Sequence, residues 1–196
     1  MVRPEDDREA RMSGPAAAPR RAEDTDAARE LRELFDVHHR LVFAAAFRVT
    51  GSHDDAEDVL QSLFLRLAGA GIPPGLRDQP SAYLRRAAIN GAIDLVRARN
   101  SERAAIERER RTAPADAPQA ADPADREQRR RLRRRVRDAL ACLGARAAEM
   151  VALRYFEGLS NREIARLFET SEGTVAVTLH RARRRLRDEL ASSPEE

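Results

Sequence analysis

The stretch from Gly158 to Leu186 has little freedom in how it can fold, because helix caps, a turn and apolar spacing coincide within it. Ser160 with Glu163 at the third position after it is a capping box, so a helix starts at Asn161 with Ile164, Ala165, Leu167 and Phe168 as its apolar face. Ser171 caps a second helix, which buries Val175, Leu179, Ala182 and Leu186 at helical spacing and leaves Glu172, Ala176, Val177, His180, Arg183 and Arg184 outside. Two helices in this order predict a helix-turn-helix, whose second helix fits the major groove of DNA. The arginines between Arg181 and Arg187 then meet phosphates, the salt-sensitive share of such binding. The competing reading is a plain helical hairpin with solvated arginines.

Charge is segregated along the chain. Basic residues total 36 against 33 acids, a net charge of only +3, yet Arg126 to Arg137 holds eight arginines against one acid, while Asp54, Asp55, Glu57 and Asp58 cluster elsewhere. Such asymmetry predicts a basic nucleic-acid surface and a separate acidic surface for a protein partner. Every basic residue is arginine, which we read as coding bias. The single cysteine, Cys142, lies in an apolar helical stretch, so it is expected to fill core in a reducing compartment. No run approaches the ~18 apolar residues of a membrane span, and the N-terminus lacks a signal-peptide pattern, so membrane insertion is not expected and the cytoplasm is.

Residues 1–25 carry almost no large apolar side chain and are expected to be disordered. A first helical domain is expected over 26–108. Its first helix begins near Asp26 and uses Leu31, Leu34, Phe35, His38, Leu41, Val42, Ala45, Ala46 and Val49, ending at Gly51. Ser52 caps the next, with Ala56, Val59, Leu60, Leu63, Phe64 and Leu67 inward and Glu57, Asp58, Gln61, Ser62 and Leu65 outward. Gly69 to Gln79 reads as a loop; Pro80 and Ser81 then open a long helix to about Ala105. Gly91 inside that helix costs about 1 kcal/mol relative to alanine, which close packing or a nearby DNA backbone would explain. Residues 109–124 read as a Pro/Ala-rich linker, and 125–192 as a second helical domain, with Leu132, Val136, Ala139, Leu140 and Leu143 inward and a further helix over 147–156. The expected fold is all-α: two small helical domains joined by a flexible linker, with no strands.

With both halves placed, residues Leu31 to Leu190 resemble a bacterial RNA polymerase sigma factor of the extracytoplasmic-function (ECF) type, within the sigma-70-type family. The segment Ala56-Glu-Asp-Val-Leu-Gln-Ser-Leu-Phe-Leu-Arg-Leu is similar to the family's region 2 helix that grips the clamp helices of core polymerase. Asp58 and Gln61 one turn apart, with Glu57 and exposed Leu65, form a polar patch with an apolar centre that suits a protein partner. The segment Tyr83 to Arg97 resembles the promoter-opening helix. There Arg85, Arg86, Arg97 and Arg99 suit the phosphates of a displaced strand, Asn90 offers a donor and an acceptor to a base edge, and Tyr83 either supports a stacked base or packs. The stretch from Leu143 to Arg183 resembles region 4, and the resemblance assigns upstream reading to Ser171, Thr174, Ala176, Val177, Thr178, His180, Arg181, Arg183 and Arg184.

The resemblance implies core RNA polymerase and promoter DNA as partners, admits an anti-sigma factor as a further one, and implies the Gly69 to Gln79 loop as a pocket for a flipped base. It also exposes departures. Relatives commonly have glutamate at Ser62, tryptophan at Tyr83 and a basic residue at Ile89; Ala176, Val177 and Thr178 replace a basic residue, a small polar one and an arginine. Ala176 and Val177 are able to pack on thymine methyls. The alternatives are a helix-turn-helix regulator acting without polymerase, which leaves the two N-terminal motifs unexplained, and an enzyme. The enzyme reading lacks a metal spacing, a nucleotide loop or a nucleophile with its base, and no cofactor is expected. The only adjacent histidines, His38 and His39, point about 100° apart on a helix and make a poor chelate.

Overall fold

The structure, a computed structural model, describes residues 20–110 and 124–192; most of the expected disordered segment and most of the linker lie outside it. The described residues are all-helical: α1 (Arg20–Thr50), α2 (His53–Ala70), α3 (Pro74–Asp78), α4 (Pro80–Arg110), α5 (Ala124–Ala141), α6 (Ala145–Tyr155), α7 (Asn161–Leu167) and α8 (Glu172–Ser192). The first helix thus starts six residues before Asp26, and α4 continues beyond Ala105 to Arg110. The expected loop contains α3, because Pro74 supplies a preset φ at its start and Leu76 is fully buried.

Helices α1, α2 and α4 pack on one another, with α3 against α4. Val42, Ala45, Ala46 and Val49 of α1 share a core with Ala56, Val59, Leu63, Phe64 and Leu67 of α2 and with Leu84, Ala88, Ile89, Ala92 and Ile93 of α4. Local chemistry turns the chain between α1 and α2. Gly51 takes φ +65°, donating its N–H to the Phe47 carbonyl at 2.7 Å, and the Ser52 hydroxyl accepts from the Asp55 N–H at 3.4 Å. Gly91 faces α2: a Cβ there would lie 3.3 Å from Val59 Cγ1, so close helix packing accounts for it. Phe35 is partly exposed, but its ring meets Phe64 edge-on at a centroid distance of 5.0 Å.

In the second half, α6 lies between α8, α7 and α4. Six consecutive α6 residues, Ala148 to Leu153, are buried. Residues on a helix advance about 100° each, so six in a row cover every side of the cylinder. The α7 and α8 partners account for one side and α4, from the other half, for the opposite side. The two halves therefore share one continuous core and are not connected by the linker alone. Among residues assigned inward, Leu132 is 56% exposed and Cys142 is exposed just past the end of α5.

Candidate polymerase and nucleic-acid interfaces

The α2 helix divides sharply by face. Ala56, Val59, Leu63 and Leu67 are core, while Glu57, Asp58, Gln61, Ser62 and Leu65 stand outside, Leu65 being 70% exposed. Glu57 lies 3.4 Å from His53 Nδ1, one turn back. Asp55 at the base of this face is buried and paired with Arg99 of α4, whose guanidinium also reaches within 4.0 Å of Asp58. Arg99, expected along a DNA strand, is thus placed against the acidic helix.

Three other α4 arginines, Arg85, Arg86 and Arg97, turn toward the second half of the chain. The Arg86 Nε donates to a Glu149 carboxylate oxygen at 2.5 Å, its Nη1 donates to the Leu167 carbonyl at 2.9 Å, and the guanidinium lies 4.3 Å from the centre of the Phe168 ring. Arg86 therefore docks on the C-terminal end of α7, where unpaired carbonyls favour a cation. Arg97 donates to the carbonyls of Ala141 and Leu143 at 3.2 and 2.8 Å. Arg85 lies 3.4 Å from Glu157, which Arg48 of α1 meets at 2.7 Å from the other side. Arg137 of α5 returns the contact by donating to the Thr50 carbonyl at the end of α1. Burial pushes the Glu149 carboxyl above its ordinary range, against the lowering effect of Arg86, Asn90 and Arg146. Tyr83 and Asn90 border the cleft beside Ile72, Pro73 and Pro74, with Tyr83 37% exposed.

The helix-turn-helix forms as its caps require. Ser160 Oγ accepts from the Glu163 N–H at 3.2 Å while the Glu163 carboxylate accepts from the Ser160 N–H at 2.7 Å. The Ser160 partners hold the Glu163 carboxyl below its ordinary value. The turn closes with the Thr170 N–H on the Ala165 carbonyl at 2.9 Å and the Glu169 N–H on the Arg166 carbonyl at 3.2 Å, a Schellman ending with Glu169 at φ +49°. Ser171 Oγ then accepts from the Thr174 N–H at 3.0 Å and starts α8. Val175, Leu179 and Ala182 are buried; Ser171, Thr174, Ala176, Val177, His180, Arg181, Arg183 and Arg184 are exposed on the opposite surface. Thr178 is half-buried and its hydroxyl donates to the Thr174 carbonyl at 2.8 Å, which ties it to its own helix.

The model of Sigma-70 region 2 matches residues 34–102, and that of Sigma-70, region 4 matches residues 133–186. Over 165 residues the chain is 33% identical to the RNA polymerase sigma-E factor of Streptomyces avermitilis, covering 83% of this chain and 86% of that protein. It is 32% identical over 179 residues to the ECF RNA polymerase sigma factor SigL of Mycobacterium tuberculosis, covering 91% of this chain and 94% of SigL. The chain belongs to the ECF sigma factors of the sigma-70 family.

This sigma factor binds core RNA polymerase and promoter DNA and directs promoter-specific initiation of transcription, a function without bond chemistry of its own. The region 2 match falls on α1 to α4 and the region 4 match on α5 to α8. Among solved structures, the sigma factor RpoE of Bartonella quintana in complex with the anti-sigma factor NepR aligns at a TM-score of 0.42 and 18% identity, covering 84% of this chain and 99% of that one. No described helix is long and apolar enough to cross a membrane. The sequence signals for the α2 face and the recognition helix were local and readable. The docking of Arg86 on Glu149 and Phe168 carried no local signal, because its partners lie 63 and 82 positions away.

Proposed function

We propose that this sigma factor holds core polymerase through Glu57, Asp58, Gln61 and Leu65 of α2. Arg85, Arg86 and Arg97 of α4 then track the phosphates of the opened strand, with Asn90 on a base edge and Tyr83 against a base face. Arg99 supports α2 through Asp55 and follows the strand from the same helix. On α8, Ser171, Thr174, Ala176, Val177, Thr178, His180 and Arg181 read or flank the upstream element, while Arg183 and Arg184 meet phosphates. Work of this kind places the protein in the cytoplasm with the polymerase.

The observation that carries the reading is Leu65, 70% exposed at the centre of a polar face on a helix whose other face is core. Ringed by Glu57, Asp58 and Gln61, Leu65 suits the apolar centre of a protein interface with a polar rim. Run-off transcription with purified core polymerase tests it: the parent chain initiates from a selected promoter, and the Asp58→Ala/Gln61→Ala variant initiates weakly because less polymerase is bound. Full transcription by that variant would overturn the α2 assignment.

A further inference from the structure

We propose that the cleft between the end of α1 and the middle of α5 binds a small amphiphilic anion, a carboxylate head group carrying an unbranched aliphatic tail. The cleft encloses about 680 Å³, within the ~300–1,000 Å³ usual for clefts that take one small molecule. Its apolar part comes from Phe47 of α1, Leu132 and Val136 of α5, and Phe156 just past α6. Phe47 is 41% and Leu132 56% exposed, so the walls leave apolar surface in water that nothing in the chain covers. Leu132 has the inward spacing of its helix but meets this opening instead of core.

Four guanidiniums, those of Arg48, Arg133, Arg134 and Arg137, line the same cleft, and no described carboxylate does. Arg48 is engaged by Glu157 at 2.7 Å, and Arg137 donates to the Thr50 carbonyl, which covers the negative end of α1. Arg133 and Arg134 are exposed, and no described residue gives either of them an ion-pair partner. Their charge is what the cleft offers to an incoming anion. Burial lowers the pKa of the Arg137 guanidinium, and Arg103 and Arg134 push the same way against Asp138 and Asp55. Asp55 is already paired with Arg99, so positive charge is in local excess.

The lining also selects the class of ligand. It holds no side-chain amide, and its one hydroxyl, that of Thr50, is engaged with the Ser52 carbonyl at 3.2 Å. Nothing there pairs with the edge of a base or with a sugar, so a nucleotide would find cations without recognition. A flat lipid surface does not enter a cleft walled by two helices. A single-chain amphiphile meets both parts of the lining at once, its head on Arg133 and Arg134 and its tail along Phe47, Leu132, Val136 and Phe156. The inference does not depend on the polymerase and DNA assignments, because none of the residues in them lines the cleft.

Isothermal titration calorimetry of the full chain with sodium decanoate, kept below its micelle threshold, tests the proposal. We expect saturable binding of one decanoate per chain. Leu132→Gln and Arg133→Ser/Arg134→Ser replace exposed side chains, so helical content by circular dichroism is expected to persist while each weakens binding about tenfold. Arg29→Ser/Arg32→Ser removes the same charge near the other end of α1 and is expected to leave the affinity unchanged. Uncharged 1-decanol is expected to bind about tenfold more weakly than decanoate. Absence of saturable decanoate binding, equal binding of 1-decanol, or full binding by both cleft variants overturns the proposal. GTP that binds more tightly than decanoate and is lost in Arg133→Ser/Arg134→Ser overturns it in favour of a nucleotide site. Self-association in analytical ultracentrifugation that Leu132→Gln abolishes gives the cleft to a second copy of the chain and overturns it as well.

Discussion

Arg86 of region 2 and Glu149 of region 4 meet at 2.5 Å across the boundary between two regions that the sequence separates by a linker. Glu149 is almost fully buried, whereas Arg86 keeps 39% of its side-chain exposure. Removing the guanidinium leaves the carboxylate without its main partner. A fully buried pair broken this way costs about 3–5 kcal/mol; discounted for the solvent that reaches Arg86, Arg86→Ala is expected to lower stability by about 1–2 kcal/mol. Denaturant unfolding followed by circular dichroism reads this, and an unchanged midpoint would show that the pair is energetically idle.

The raised Glu149 carboxyl gives that contact a pH signature. Below the ordinary value of 4.5 the group is protonated both folded and unfolded and contributes nothing. As pH rises above 4.5 the unfolded chain releases the proton first, so the fold loses stability until the folded group also ionises. Glutamine resembles the protonated acid and escapes this loss. The stability of Glu149→Gln relative to the parent is therefore expected to improve from about pH 4 to about pH 7. A difference in melting temperature that stays flat over that range would contradict the burial effect.

Glu169 sits at φ +49° in the turn of the helix-turn-helix, a position that favours glycine. Left-handed backbone costs a residue with a Cβ roughly 1–2 kcal/mol, and glycine returns roughly 0.5–1 kcal/mol of that through the entropy of the unfolded chain. Glu169→Gly is expected to be stabilising by about 0.5–1 kcal/mol without altering promoter selection. Thermal unfolding that shows a loss would mean the Glu169 side chain supplies something the turn needs.

The capping box offers a matched control at the other end of α7. Ser160→Ala removes the acceptor for the Glu163 N–H and is expected to cost about 1 kcal/mol. Hydrogen exchange resolves where: protection should fall in the first turn of α7 and stay unchanged in α2.

On α8, Val177 is 51% exposed on the surface that faces away from the core. Contact with a thymine methyl predicts that Val177→Ala loses up to about 1 kcal/mol of discrimination at one upstream position while its melting temperature stays within error. Promoter selection with the holoenzyme measures both preferences at once. An identical selected motif would place Val177 outside the base-reading set.

What the amino-acid sequence determined by itself is local. Caps at Ser52, Ser160 and Ser171, the apolar spacing of α2 and α8, and the exposed Asp58, Gln61 and Leu65 all follow from side chains reacting to neighbours within one or two turns, where helical geometry sets who meets whom. The fold class followed from the same short-range rules. Tertiary structure decided everything that needed a partner from a distant segment. Periodicity marked α6 as apolar but not that α4 would cover its remaining side, so the shared core and the burial of Glu149 were invisible. Cys142 and Leu132 looked inward because their segments are apolar at helical spacing, yet the helices that pack there leave both exposed. The α4 arginines make the same case. Arg86 and Arg97 carry identical spacing and charge whether they face a phosphate, a carboxylate or a helix-end carbonyl, and only the packing of region 4 against region 2 assigned them the latter two.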